Sequence, residues 1–119
     1  MAYSEALAQR IRRVLAIEKG VTERAMFGGL TFMLEGKMCC GIVGDQLMVR
    51  VGPERHEEAL AEPHTRPMDF TGRPLRGMVY VKPAGYRTDG ALRKWVYQGI
   101  EFALVLRAKR RRRRAAGRR

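Results

Sequence analysis

The chain has 119 residues, 45% of them hydrophobic, and a formal net charge of +12. That is one domain's worth of sequence with enough apolar content to form its own core. The longest apolar run, Phe102-Ala103-Leu104-Val105-Leu106, is far too short for a membrane-spanning helix, and two adjacent cysteines cannot supply a secreted disulfide framework. The start MAYSEALAQRIRR has no signal-peptide pattern, so the expected setting is cytoplasmic and bacterial-type.

In chain order, Ser4 is placed to cap a helix that runs to about Glu18, because Leu7, Ile11, Val14 and Leu15 form one apolar stripe, and Gly20 closes it. Leu30 to Leu34 and Lys37 to Val43 read as strands joined by a tight hairpin at Glu35-Gly36. A third strand, Leu47 to Val51, completes a meander. Pro53 suits the first turn of a helix that reaches about Glu62 and ends at Pro63. The segment PHTRPMDFTGRPLRG, rich in proline and glycine, is expected to be an irregular connection. Met78 to Val81 reads as a fourth strand and, as a short edge strand, as a place for pairing with another subunit. Thr88 or Asp89 then caps a last helix carrying Leu92, Trp95, Val96, Gly99, Ile100 and Ala103 at helical spacing, with Trp95 in the core. The expected fold is α+β, an antiparallel sheet of four or more strands packed against helices in two layers, formed by residues 1–106.

The charge is unevenly placed. Residues 107–119, RAKRRRRRAAGRR, hold nine of the 24 basic residues and no acid, so the preceding part has 15 bases against 12 acids. Arg107, Lys109, Arg110, Arg111, Arg112, Arg113, Arg114, Arg118 and Arg119 therefore make up a basic appendage, too polar to bury itself and expected to be flexible. Arginine and alanine favour helix, so the last helix is expected to extend some way into it and fray toward Gly117. Such a run attracts DNA or RNA without sequence specificity and, with alanines as its only apolar content, carries no large side chain to insert into a lipid surface.

Other candidate sites read as structural. Gly28-Gly29 matches neither a Walker loop nor a dinucleotide fingerprint, and precedes a strand where no helix N-terminus is available to hold an anion. Cys39 and Cys40 are adjacent in a strand, so their side chains should point to opposite faces, one thiol buried and one partly exposed. With His56 and His64 they show no metal-ligand spacing, and no nucleophile is paired to either histidine. No catalytic residue, metal or cofactor is therefore expected. Arg66, Asp69, Arg73 and Arg76 gather around a turn where a carboxylate held by arginine forks would stiffen the loop or offer a surface to a ligand or partner. That loop is the basis of the alternative reading, a small ligand-binding protein or enzyme.

One set of features resembles a known family. Arg24-Ala25-Met26-Phe27-Gly28-Gly29, Phe32, Gly36-Lys37-Met38, Leu47, Arg50, the Pro67-to-Pro74 turn, Tyr80-Val81 with Pro83, and Leu92 with Trp95 resemble the TfoX N-terminal domain of the TfoX/Sxy family over residues 5–106. The resemblance implies an α+β fold, no catalytic residues, and a relation to bacterial regulators of natural competence thought to assist the cyclic-AMP receptor protein at promoters. The larger regulators carry a helical second domain, whereas here only the basic run follows residue 106. The resulting expectation is a non-enzymatic regulatory module with a protein partner.

Overall fold

In the computed structural model, residues 3–70 and 73–116 are described, with backbone alone at 70, 73, 74 and 114–116. Helix α1 (Glu5–Leu15) starts where Ser4 Oγ accepts the Leu7 amide at 3.2 Å. It ends at Leu15, where the apolar stripe ends, rather than near Glu18, and buries Leu7, Ala8, Ile11 and Leu15. Strands β1 (Val21–Met26), β2 (Gly29–Leu34), β3 (Lys37–Val43) and β4 (Gln46–Arg50) follow as antiparallel neighbours. A short turn at Pro53–Arg55 leads into α2 (His56–Leu60), then come β5 (Thr65–Phe70), β6 (Arg73–Val81) and α3 (Asp89–Ala116). The described strands form one six-stranded sheet in the order β1-β2-β3-β4-β6-β5. The α+β class and the antiparallel sheet are as expected.

The segment expected to be irregular is a hairpin. Thr65 pairs with Val81, Arg66 with Tyr80 and Phe70 with Arg73, with a register shift between Pro67 and Asp69. Proline is tolerated there because β5 is the edge strand, where one side of the backbone has no ladder to supply. The same pairing corrects the view of Met78 to Val81 as an edge: it lies between β4 and β5 and has no free side for another subunit. Strand β1 escapes the sequence pattern because its interior residues Thr22 to Ala25 are all exposed, so no alternation of apolar and polar side chains exists to detect.

The Met26-Phe27-Gly28-Gly29 stretch is the turn between β1 and β2. Met26 pairs with Gly29, and both Phe27 (φ 57°) and Gly28 (φ 76°) take left-handed backbone, the geometry of the two-residue turn that matches strand twist. Gly29 is needed for a different reason: an added Cβ would run into the Ile42 carbonyl across the ladder.

The two faces of the sheet differ chemically. Toward α1 and α3 point Leu30, Phe32, Leu34, Ile42, Leu47, Val49, Val79 and Val81, in one core with Ile11, Leu92, Trp95, Val96 and Ile100. The opposite face gathers Met33, Met38, Met48, Met68 and Met78 around Tyr80, with Met26 and Phe27 against them. Every methionine after Met1 belongs to this second cluster. Unbranched thioethers fill an irregular, curved surface that β-branched side chains would pack less well. Within it Thr31 Oγ1 is the one buried side-chain polar atom among the described residues that lacks a partner.

The cysteines depart from strand alternation. Met33 pairs with Met38 but Phe32 pairs with Cys40, so Cys39 is the extra residue of a β-bulge. The bulge brings Cys39 and Cys40 into the same helix-side core, both buried, in place of the opposite faces and single exposed thiol expected from period two. Cys39 Sγ lies 3.8 Å from the Val96 carbonyl. Hydrogen bonding to Cys39, then burial, pushes the Cys40 thiol well above its ordinary range. A thiol so held stays protonated and is a poor nucleophile.

Candidate functional site

The residues that set α3 in place also aim its basic end. Thr88 Oγ1 caps the helix by accepting the Ala91 amide at 3.1 Å. Leu92, Trp95, Val96, Ile100 and Ala103 form the buried stripe. Gly99 lets the helix lie directly on β3, because a Cβ there would penetrate the Cys39 carbonyl and crowd its sulfur. Ion pairs flank this seat: Lys94 with Glu62 at 3.2 Å and Arg55 with Glu101 at 2.9 Å. Beside the latter, Phe102 lies under the Arg50 guanidinium at 5.3 Å and lines a groove of about 400 Å³ with Val105 and Lys109.

Among the described residues the last fully buried α3 side chain is Ala103, yet the helix continues to Ala116. Leu104 and Leu106 are half-buried. Arg107 reaches back to Glu35 at the β2–β3 turn, N···O 2.9 Å, so its charge is engaged and the junction is pinned. From Ala108 onward the helix leaves the sheet. At about 1.5 Å per residue, residues 108–116 extend roughly 13 Å past this pin. The longest dimension of the molecule is 50 Å, against 29 and 27 Å for the others.

Lys109, Arg110, Arg111, Arg112 and Arg113 are all exposed, and among the described residues none of them has an ion-pair partner. Successive residues turn by about 100°, so five consecutive bases spread around the whole circumference. The result is a cationic rod with no preferred face. Its like charges repel at i, i+4, but cations at a helix C-terminus complement the macrodipole, and the packed part of α3 has already met the cost of nucleation. The expected helical extension is thus observed as far as residue 116. The side chain of Arg114, and Arg118 and Arg119 entirely, lie outside the described residues.

The described part of the arginine loop is divided between partners. Arg66 Nε donates to Gln46 Oε1 at 2.8 Å, and its guanidinium stacks 4.5 Å from the Tyr80 ring centre. Asp69 and Arg76 are exposed on the two strands of the hairpin, and among the described residues Asp69 forms no ion pair with Arg66 or Arg76. The Arg73 side chain lies outside the described residues. Strand pairing between β5 and β6 holds the described part of this segment.

His56 shows a role the sequence reading missed. Its Nδ1 accepts the Gly77 amide at 2.9 Å, while the Gly77 carbonyl takes the amides of Val51 and Gly52. The imidazole therefore ties α2 to the kink in β6. Among the described residues no group of three or more His, Cys, Asp or Glu side chains is arranged to hold a metal ion, and no helix is long and apolar enough to cross a membrane.

A model of the TfoX N-terminal domain matches residues 13–103. The chain belongs to the TfoX N-terminal domain family. The matched span ends at Ala103, the last buried α3 side chain among the described residues, so the basic rod lies beyond the matched span. No match is found among curated proteins or solved structures.

Proposed function

We propose that this TfoX-family chain is a non-catalytic interaction module that engages a protein partner through its folded layer and nucleic acid through the basic end of α3, in a transcriptional or competence-related setting in the bacterial cytoplasm. The observation that carries the nucleic-acid part is the uninterrupted run of α3 past Ala103, which presents Lys109 to Arg113 exposed and unpaired on a helix already anchored by Arg107 and Glu35. Preordering matters because a coiled tail would lose chain entropy on binding, whereas a helix does not. An α-helix also fits the width of a duplex major groove. With charge on every side and no side chain positioned to select a base, binding is expected to be sequence-independent and governed by counterion release.

Five neutralised phosphates predict a slope of about −4.5 for log affinity against log salt. The test replaces Lys109 and Arg110 to Arg113 by Gln in the full chain and measures duplex DNA and RNA binding across a salt series. The expected result is a slope flattened by about four and affinity at low salt reduced by at least a hundredfold. Equal slopes for the two proteins would refute the role of the rod. In the alternative site of Arg66, Asp69, Arg73 and Arg76, the Arg66 guanidinium is already engaged by Gln46 and Tyr80.

A further inference from the structure

On the side of α3 away from the Phe102 groove, α1 and α3 enclose a cleft of about 280 Å³. Its floor is aliphatic, from Val14 and Leu92. Ile17 and Tyr97 stand at its lips, 76% and 37% exposed, and they are two of the three exposed large hydrophobic residues among those described. Exposed apolar side chains placed singly need no explanation, but two flanking one concavity mark an interaction surface.

The charges around the cleft are mainly positive. Arg10, Arg13 and Arg93 line it against the single carboxylate of Asp89, which Arg10 already contacts at 3.3 Å. Arg10 is further committed to the carbonyls of Tyr86 and Arg87, at 3.1 and 3.0 Å, and so belongs to the scaffold. Arg13 and Arg93, one on each helix, are exposed and without an ion-pair partner among the described residues.

We infer that this cleft docks an acidic peptide segment of a protein partner, with a bulky apolar side chain inserted between Ile17 and Tyr97 and carboxylates paired to Arg13 and Arg93. The lining distinguishes this occupant from nucleic acid. Nucleobases are held by stacking on aromatic rings, whereas Val14, Leu92 and Ile17 are aliphatic and only Tyr97 offers a ring. A desolvated apolar anchor surrounded by exposed guanidinium groups has the composition of a peptide-binding hot spot with a polar rim. The inference deepens the protein-partner part of the proposed function and is independent of its nucleic-acid part.

The probe is a fluorescein-labelled peptide with a Leu-Phe pair flanked by glutamates, compared with the same peptide carrying Ser-Ser, each titrated by anisotropy onto the full chain. Arg13→Glu with Arg93→Glu should weaken the Leu-Phe peptide by about tenfold or more and abolish the preference for it over Ser-Ser. The five-Gln rod protein should keep that preference. Ile17→Ser gives the same loss of preference without changing charge, and thermal unfolding of each variant separates lost binding from lost fold. If the wild-type chain binds the two peptides alike, or the charge-reversed chain binds Leu-Phe as wild type does, the inference falls. It falls equally if a single-stranded oligonucleotide loses as much affinity as the peptide on charge reversal, because the cleft would then be a nucleic-acid site.

Discussion

Helix α3 is two helices in physical terms. From Asp89 to Ala103 it is held by burial, with Leu92, Val96 and Ala103 at most 1% exposed and Gly99 in direct backbone contact with β3. From Ala108 to Arg113 its side chains are all exposed, and its helicity depends on intrinsic propensity and on continuing a helix that already exists. The first half depends on shape and the second does not. Arg107 with Glu35 marks the boundary.

The sharpest way to break the packed half is Gly99→Ala. In an exposed helix interior this exchange stabilises by about 1 kcal/mol. Here the new methyl group meets a backbone carbonyl that cannot swing away, so overpacking outweighs propensity and the expected outcome is a net loss of roughly 1–3 kcal/mol in denaturant unfolding. Cysteine labelling reports the same event: Cys39 and Cys40 should resist iodoacetamide in the native wild-type chain and react faster in Gly99→Ala. A more stable variant would show that α3 is not seated on Cys39.

At the boundary, Arg107→Ala removes an ion pair whose partners are each 38% exposed, so the cost in global stability should stay below about 1 kcal/mol. Its larger effect should be local, with faster amide exchange over residues 104–110, since the projecting half loses its pin. Unchanged exchange there would mean that Leu104 and Leu106 suffice to hold the junction. The smallest stability effect belongs to the five-Gln rod protein, expected within about 0.5 kcal/mol of wild type because no packed side chain is altered. A large loss of stability in that protein would contradict the division of α3 and would also compromise the salt-series test.

How much was legible beforehand differs between elements for physical reasons. The cap at Ser4, the hairpin at Glu35-Gly36 and the stripe from Leu92 to Ala103 are local: short-range hydrogen bonding, a positive φ and helical period suffice to place them. The β5–β6 hairpin was misread because Pro67 and Pro74 signal irregularity when considered alone, and the ladder that tolerates them is set by neighbours distant in sequence. The cysteines were misread because a bulge shifts strand period by one residue. Of the candidate site, the run of bases was plain, but Arg107 was counted with it although it is bound to Glu35, 72 positions away. The α1–α3 cleft left no trace, since Arg13 and Ile17 are brought to Arg93 and Tyr97 only by helix packing.

By itself the sequence determined the family, the α+β class, the segregation of charge and the helical bias of the basic end, all of which depend on local order or composition. Tertiary structure alone decided that both thiols share one core, that Met78 to Val81 is interior, and that the basic run projects as a rod from a pinned junction. Those outcomes depend on which distant residues meet, and contact between distant residues is set by the packing of the whole sheet against α1 and α3.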